Sequence, residues 1–328
     1  MFKTITHFLI TLCFTLLLVG CSVSSAPKLA PSEQINSTVI LKEVPIAGAI
    51  GVKTSGGYLW AWSGNEIWRY TRGEWSWYAT SPADELPDVE YAFDTLWIAG
   101  NGLWYLEGEK WQELAEAPLD ALWIEADDQN DILWVSDFSN LYRWNGEEMT
   151  DVGQPSSINS CVWKIAVTGD GMVWAGGLDG FLPTFGGLAR YDDATGSWEM
   201  VRPWRVDEDV PARILTTTPN GSLWAVLVDF PEDWEKLEDA GKPYFELSLV
   251  HRDGVTGDWS VFEEDLPLGL DPTIAADDEV IWLAERSGMI FDGLSSFDGE
   301  NWSHYLPGEV IEDIAIAPDE SIWYIAAD

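Results

Sequence analysis

Apolar and polar positions alternate along most of this chain in short runs, and clusters of Gly, Asp, Asn and Pro separate the runs. Alternation with a period of two predicts half-buried β-strands, and the clusters predict tight turns. The pattern repeats. An aliphatic residue followed by Trp recurs as Leu59-Trp60, Leu96-Trp97, Leu133-Trp134, Val173-Trp174, Leu223-Trp224, Ile281-Trp282 and Ile322-Trp323. A turn signal stands just before each pair: SGG, FDT, DQND, TGDG, TPNG, ADDE and APDE. Before that turn lies a short alternating segment, such as Lys164-Ile165-Ala166-Val167. After the pair comes a segment ending in an aromatic, a second turn and usually another Trp. Examples are GLARYDDATGSW (187–198), LVHRDGVTGDW (249–259) and LSSFDGENW (294–302). Each unit therefore predicts four strands, A to D, with Trp on B, an aromatic on C and Trp on D.

A four-stranded unit of about 40 residues points to an all-β fold, the β-propeller. One small twisted sheet cannot cover its own two apolar faces, whereas sheets packed radially cover each other's, and a closed ring leaves none bare. Complete units begin near residues 46, 88, 119, 158, 210 and 270, and a seventh from Glu309 has only strands A and B. Ser37–Lys42 is one strand placed before the first unit, and it is expected to complete the last sheet. Seven blades closed by strands from both ends are favoured; six blades with an appendage are the alternative. The repeats resemble those of the two-component regulator propeller family. Val173-Trp174-Ala175-Gly176-Gly177 with Leu188-Ala189-Arg190-Tyr191-Asp192 is the nearest match. The resemblance covers about residues 46–328 and implies a propeller of the kind that forms extracellular sensor regions of membrane kinases. No transmembrane or kinase segment follows the repeats in this sequence, so direct kinase signalling is not expected.

The N-terminus carries a different pattern. Lys3 precedes an apolar run from Phe8 to Val19, too short for an ordinary membrane span. The run ends in Leu18-Val19-Gly20-Cys21, which resembles the lipobox of bacterial lipoproteins. That resemblance implies a signal peptide over residues 1–20, a lipid on Cys21, and a membrane partner outside the cytoplasm. Residues 21–36 are polar with two prolines and read as a flexible tether, leaving 37–328 as the propeller domain. With Cys13 in the signal and Cys21 lipidated, Cys161 has no disulfide partner, and its apolar neighbours suit a small buried residue.

Charge narrows the partners. The chain has 17 basic and 56 acidic residues, a formal net charge of −39, which repels phosphate backbones and excludes nucleic acid as a natural partner. Acidic clusters such as Asp127-Asp128-Gln129-Asn130-Asp131 offer oxygen ligands of the kind Ca²⁺ accepts, but without EF-hand spacing, and turn chemistry explains them as well. No cofactor is expected. The 21 Trp look like a stacking surface until the repeat is laid over them. Seven occupy strand B and five (Trp75, Trp111, Trp198, Trp259, Trp302) occupy strand D, where blade-to-blade packing accounts for them.

Function is sought where the repeat breaks. The stretch from the strand B Trp to the strand C aromatic is short in the first three units (Trp60 to Tyr70, Trp97 to Leu106, Trp134 to Trp144) and longer in the next three (Trp174 to Tyr191, Trp224 to Arg252, Trp282 to Phe297). These B–C inserts predict an asymmetric wall over half of the channel mouth, with Asp179, Phe181, Phe185, Trp234 and Arg286 as candidate ligand contacts. Residues 231–243 read as a short helix stopped at Gly241. Eleven residues before each strand B Trp stand Ala49, Leu86, Trp123, Trp163, Arg213, Asp271 and Glu312. The last five are an uneven set for one repeated position and are expected to ring the channel entrance. His251 and His304 fall on outer strands of different units, unsuited to a shared metal. The repeats also resemble streptogramin lyases, propellers that use paired histidines and a metal, but that pairing is not visible here. These residues support a non-catalytic ligand- or protein-binding module. A propeller enzyme (a lyase or carbohydrate-active hydrolase using acids at the mouth) and a structural envelope lipoprotein are the alternatives.

Overall fold

The predicted alternation is realised as strands throughout a computed structural model that describes residues 39–84, 86–155, 162–178, 186–204, 210–230, 245–264, 266–269, 271–286 and 293–327. The side chains of Trp163 and Leu178 fall outside that set, as do Cys21, Cys161 and the B–C insert residues 179–185, 231–244 and 287–292. A short N-terminal strand, β1 (Leu41–Glu43), precedes six sheets of four strands each. Blade one is β2 (Gly51–Ser55), β3 (Tyr58–Ser63), β4 (Glu66–Thr71) and β5 (Glu74–Thr80). Blade two is β6 (Asp88–Ala92), β7 (Thr95–Ala99), β8 (Leu103–Glu107) and β9 (Lys110–Glu113). Blade three is β10 (Trp123–Asp127), β11 (Ile132–Ser136), β12 (Leu141–Trp144) and β13 (Met149–Gly153). Blade four is β14 (Val162–Val167), β15 (Val173–Leu178), β16 (Gly186–Asp192) and β17 (Ser197–Val201). Blade five is β18 (Ala212–Thr217), β19 (Leu223–Asp229), β20 (Glu246–Arg252) and β21 (Trp259–Phe262). Blade six is β22 (Pro272–Ala276), β23 (Ile281–Glu285), β24 (Leu294–Phe297) and β25 (Trp302–Tyr305).

Within each of these blades the strands pair in chain order, all antiparallel, as A, B, C and D. The innermost strands β2, β6, β10, β14, β18 and β22 each touch the next, and β26 (Ile311–Ile316) closes the ring onto β2. The fold is a seven-bladed β-propeller. The seventh blade contains β26, β27 (Ile322–Ala326) and β1, in that order outward. It is thus assembled from both ends of the chain and has three strands among the described residues. The closing strand, expected over Ser37–Lys42, runs over Leu41–Glu43, with residues 37 and 38 outside the described set, and it pairs parallel to β27, with Leu41 opposite Ile322 and Glu43 opposite Tyr324. The direction has a simple cause. β1 feeds strand A of blade one, as every D strand feeds the next A, but it occupies the place of the missing C strand beside B.

Seven hydrophobic clusters hold the ring, one at each blade interface. All seven strand B tryptophans are buried within them. Four of them meet aromatic rings of the following blade. Trp60 stacks on Tyr91, with ring centroids 5.8 Å apart, and Trp323 meets Trp75 edge-on at 5.3 Å. Trp174 meets Trp259 at 5.7 Å and Trp134 meets Tyr191 at 5.6 Å. A wedge-shaped gap between splayed sheets needs large flat side chains, and truncating one such Trp to Ala costs about 3–5 kcal/mol.

The turns also account for part of the acid excess. Asp192, Asp253 and Asp298 each accept hydrogen bonds from the backbone N–H groups two and three residues on, closing the C–D turns of blades four, five and six. Hydrogen bonding favours the ionised form and lowers all three carboxyl pKa values, the Thr195 side chain contributing most at Asp192 and the backbone N–H groups at Asp253 and Asp298.

Candidate functional site

The innermost strands alternate strictly. Val52, Val89, Ile124, Ile165, Leu215, Ile274 and Ile314, one per blade, are all apolar and all buried. They pack against the preceding blade, and the residues on either side of them point the other way, towards the next blade and the central axis. This produces two tiers. Nearer the mouth, where the A strands begin, stand Gly51, Asp88, Trp123, Lys164, Ile214, Thr273 and Asp313. Deeper, and paired across to the strand B tryptophans, stand Lys53, Glu90, Glu125, Ala166, Thr216, Ala275 and Ala315. The apolar ring behind them is uniform because it is scaffold. The two tiers in front are mixed: the mouth-side tier has six residue types in seven blades, and the deeper one combines Lys53, two glutamates, Thr216 and three alanines. Gly51 is the one member of its tier without a side chain, because the Trp62 ring lies 2.1 Å from where its Cβ would be.

Lys53 ties three blades together. Its ammonium stands 2.7 Å from Glu90 Oε2, 3.3 Å from Asp88 Oδ1 and 3.3 Å from Glu125 Oε2. It also donates to the Ile124 carbonyl at 3.0 Å. The carboxylates are themselves engaged. Asp88 Oδ2 accepts the Ile124 N–H at 3.0 Å, and Glu90 Oε1 accepts the Ser55 hydroxyl at 2.7 Å. Ser55 Oγ in turn accepts the Tyr91 N–H at 2.7 Å. Burial alone would lower the Lys53 ammonium, but Asp88, Glu90 and Glu125 outweigh it and hold it well above its usual range. Three carboxylates around one ammonium cannot all ionise cheaply. Burial pushes Glu90 up to about 8 against the pull of Lys53, and raises Glu125 in the same way.

A similar device closes the ring between blades six, seven and one. Thr273 donates to Asp313 Oδ1 at 2.8 Å, and Asp313 Oδ2 accepts the Val52 N–H at 3.0 Å. Asp88 and Asp313 therefore do the same job: each caps a backbone N–H on the free inner edge of the next blade's strand A. Arg286, just beyond β23, brings its guanidinium to 3.8 Å from Asp313. Its buried Nε has no hydrogen-bond partner among the described residues.

Lys164 is the exception. Its ammonium lies 3.3 Å from the centroid of the Trp123 ring, a cation–π contact between blades three and four. Among the described residues no carboxylate pairs with it. The next member of its tier, Ile214, offers no polar atom. Burial lowers the Lys164 ammonium to about 8, with Arg286 and Lys53 pushing the same way and Asp88 and Asp313 opposing.

The residues singled out by constant spacing fall at mixed places. Trp123 is in the mouth-side tier. Trp163, Arg213 and Glu312 are each the extra residue where the A–B register slips, in β14, β18 and β26. Asp271 precedes β22, and its carbonyl accepts the Arg286 N–H at 2.9 Å. Ala49 and Leu86 precede their strands and are buried. Arg286 joins the site through Asp313. Asp179, Phe181, Phe185 and Trp234 lie outside the described residues, as does the helix expected over 231–243. Lys53, Asp88, Glu90, Glu125, Lys164, Thr273 and Asp313 were missed. One signal marks them: each flanks the buried apolar residue at the centre of a strand A.

Elsewhere, His251 stacks on Trp224 at 4.2 Å in blade five, and His304 Nδ1 lies 2.9 Å from Ser295 Oγ in blade six. Burial lowers both pKa values. They sit on outer strands and do not meet. A recess of about 170 Å³ opens between blades five and six on the face opposite the mouth, lined by His251, Trp224, Asp277, Asp278 and Glu279. Its acids serve turns: Asp277 accepts the Glu279 and Val280 N–H groups, and Asp278 that of Asn220. In the cluster at 127–131, Asp127 accepts both the backbone N–H and the side-chain amide of Asn130. Among the described residues no group of three or more His, Cys, Asp or Glu is placed to hold a metal. No described helix is long and apolar enough to cross a membrane.

No family model and no curated protein matches the sequence. Solved structures match the fold. The extracellular domain of a hybrid two-component system from B. thetaiotaomicron is 14% identical over 87% of this chain, with a TM-score of 0.60. This chain spans 38% of that one's length. Virginiamycin B lyase from Staphylococcus aureus is 14% identical with a TM-score of 0.59, covering 85% of this chain and 92% of its own. Kuenenia stuttgartiensis hydrazine synthase is 11% identical with a TM-score of 0.58, covering 90% of this chain and 99% of the other. An extracellular domain of a two-component system and two enzymes share one architecture, so the likeness establishes the propeller and leaves the activity to the site.

Proposed function

We propose that this chain is an exported, lipid-anchored β-propeller that recognises a small polar ligand at the mouth of its central channel, without converting it chemically. The observation that carries the reading is the contrast within the innermost strands. A uniform apolar ring supports a tier with six residue types among its seven members, and that tier holds a charged side chain, Lys164, whose partner the described residues do not supply. The N-terminal Leu18-Val19-Gly20-Cys21 supports the anchor, and the two-component sensor domain among the fold's neighbours supports a sensing role by analogy.

Two experiments test the parts separately. A thermal-shift screen of small polar ligands on residues 37–328 is expected to yield a hit that Trp123→Leu or Lys164→Met abolishes. A hit indifferent to both would move the site away from the mouth. Metabolic labelling with a fatty acid is expected to tag the full chain and to fail for Cys21→Ser, whereas labelling of that variant would refute the anchor.

An enzyme is the second reading, because Glu90 and Lys164 both titrate near 8, the range suited to acid–base work. It is the weaker reading, since both Glu90 oxygens are engaged by Ser55 and Lys53 and its side chain is only 8% exposed.

A further inference from the structure

We propose that Lys164 and Arg286 together bind the carboxylate of a small monoanionic ligand that enters the channel mouth. This rests on the proposed recognition role and names its ligand class. Basic residues are scarce in this chain, 17 against 56 acids, yet Lys53 and Lys164 stand on inner strands, Arg286 stands just past the mouth-side end of β23, and both Lys53 and Arg286 act electrostatically on Lys164. Lys53 is saturated by three carboxylates and a carbonyl. The other two are not. Lys164 has the face of Trp123 and, among the described residues, no hydrogen bond. Among the described residues, Arg286 has a buried Nε without an acceptor, and the carboxylate paired with it, Asp313, stands 3.8 Å off, too far for a paired fork. Arg286 is near enough to act on the charge of Lys164.

An oxyanion placed between them would accept from both and relieve their mutual repulsion. The planar guanidinium fork suits a carboxylate. Asp88 and Asp313, whose fields also reach Lys164, set an upper limit on the charge the site tolerates, so a dianionic phosphate is disfavoured. Arg286 is 37% exposed and Lys164 is half-buried, so both are reachable from solvent. Trp123 supplies an apolar wall beside the charge.

The test uses lysines reductively methylated with ¹³C in residues 37–328 and followed by NMR, with sodium benzoate, benzamide and inorganic phosphate as probes. Lys110, exposed on β9, is the internal control. Saturating benzoate is expected to raise the apparent pKa of Lys164 by about one unit, a tenfold tighter hold on the protonated form, and to leave Lys110 unmoved. Benzamide and phosphate should leave both lysines unmoved. Arg286→Gln should weaken the benzoate effect at least fivefold. Equal responses to benzoate and benzamide would overturn the proposal, and a phosphate response as large as that of benzoate would overturn the carboxylate assignment. A screen hit that lacks an acid group yet depends on Trp123 would keep the channel-mouth function and overturn this inference alone.

Discussion

Lys53 and Lys164 both stand on innermost strands of one ring, and both are half-buried, but their surroundings are opposite. Lys53 is met by Asp88, Glu90 and Glu125 from the next two blades, and its ammonium is held in the charged form. Lys164 meets an aromatic face, and its ammonium is pushed towards the neutral form. One lysine closes a network and the other leaves one open. In a ring whose blade interfaces are all packed by a buried strand B Trp, that difference separates a residue tied into the assembly from one that no carboxylate among the described residues holds. It also divides the ring: blades one to three are clipped together, whereas blades four and six present cations towards the mouth.

The comparison breaks most sharply at Lys53. Replacing it with Met leaves three carboxylates around an apolar tip, so Lys53→Met is expected to lose about 3 kcal/mol of unfolding free energy at pH 7 in denaturant titration. A loss under about 1 kcal/mol would show that the clip is not structural.

The next effect is in pH. Glu90 holds its proton up to about 8 in the folded chain against an ordinary 4.5, so the folded state binds more protons between these values. Its contribution to stability is present below about pH 4.5 and is lost as pH rises to 8. Lys164 acts oppositely. Lowered to about 8 from 10.5, it costs stability below pH 8, and that cost disappears as pH rises through 10.5. The melting temperature should therefore fall from pH 5 to pH 8, and Glu90→Gln should flatten that limb. An unchanged slope in the variant would place the titration elsewhere.

The smallest change is expected at Lys164 itself. Lys164→Met keeps an apolar stem over Trp123 and removes an unpaired cation, so stability at pH 7 should hold or rise by up to about 1 kcal/mol. A loss comparable to that of Lys53→Met would erase the distinction between the two lysines.

The seven blades could be read from the sequence because the Leu-Trp pair and its turn recur at every blade, and recurrence is what a packed ring demands of its interfaces. Even the closing strand was visible, as an alternating segment left over before the first unit; its parallel pairing with β27 was not, because direction depends on which neighbour is missing. The site was harder to read for a local reason. The distance from the central apolar residue of strand A to the strand B Trp is eight residues in blade one (Val52 to Trp60), nine in blade four (Ile165 to Trp174) and ten in blade three (Ile124 to Trp134). Counting back a fixed distance from Trp therefore landed on bulged residues such as Arg213 and Glu312, and only at Trp123 on the mouth-side tier. Anchoring instead on the buried Val, Ile or Leu of each strand A brings Asp88, Lys164 and Asp313 into line. Burial fixes that residue, whereas the turn beyond it varies freely.

The most direct measurement is an NMR titration of the ¹³C-methylated lysines without ligand. The account predicts that Lys164 titrates near 8 and that Lys53 stays protonated beyond 10.5. Two lysines titrating together near 10.5 would contradict it, because the ring would then have no open cation at its mouth.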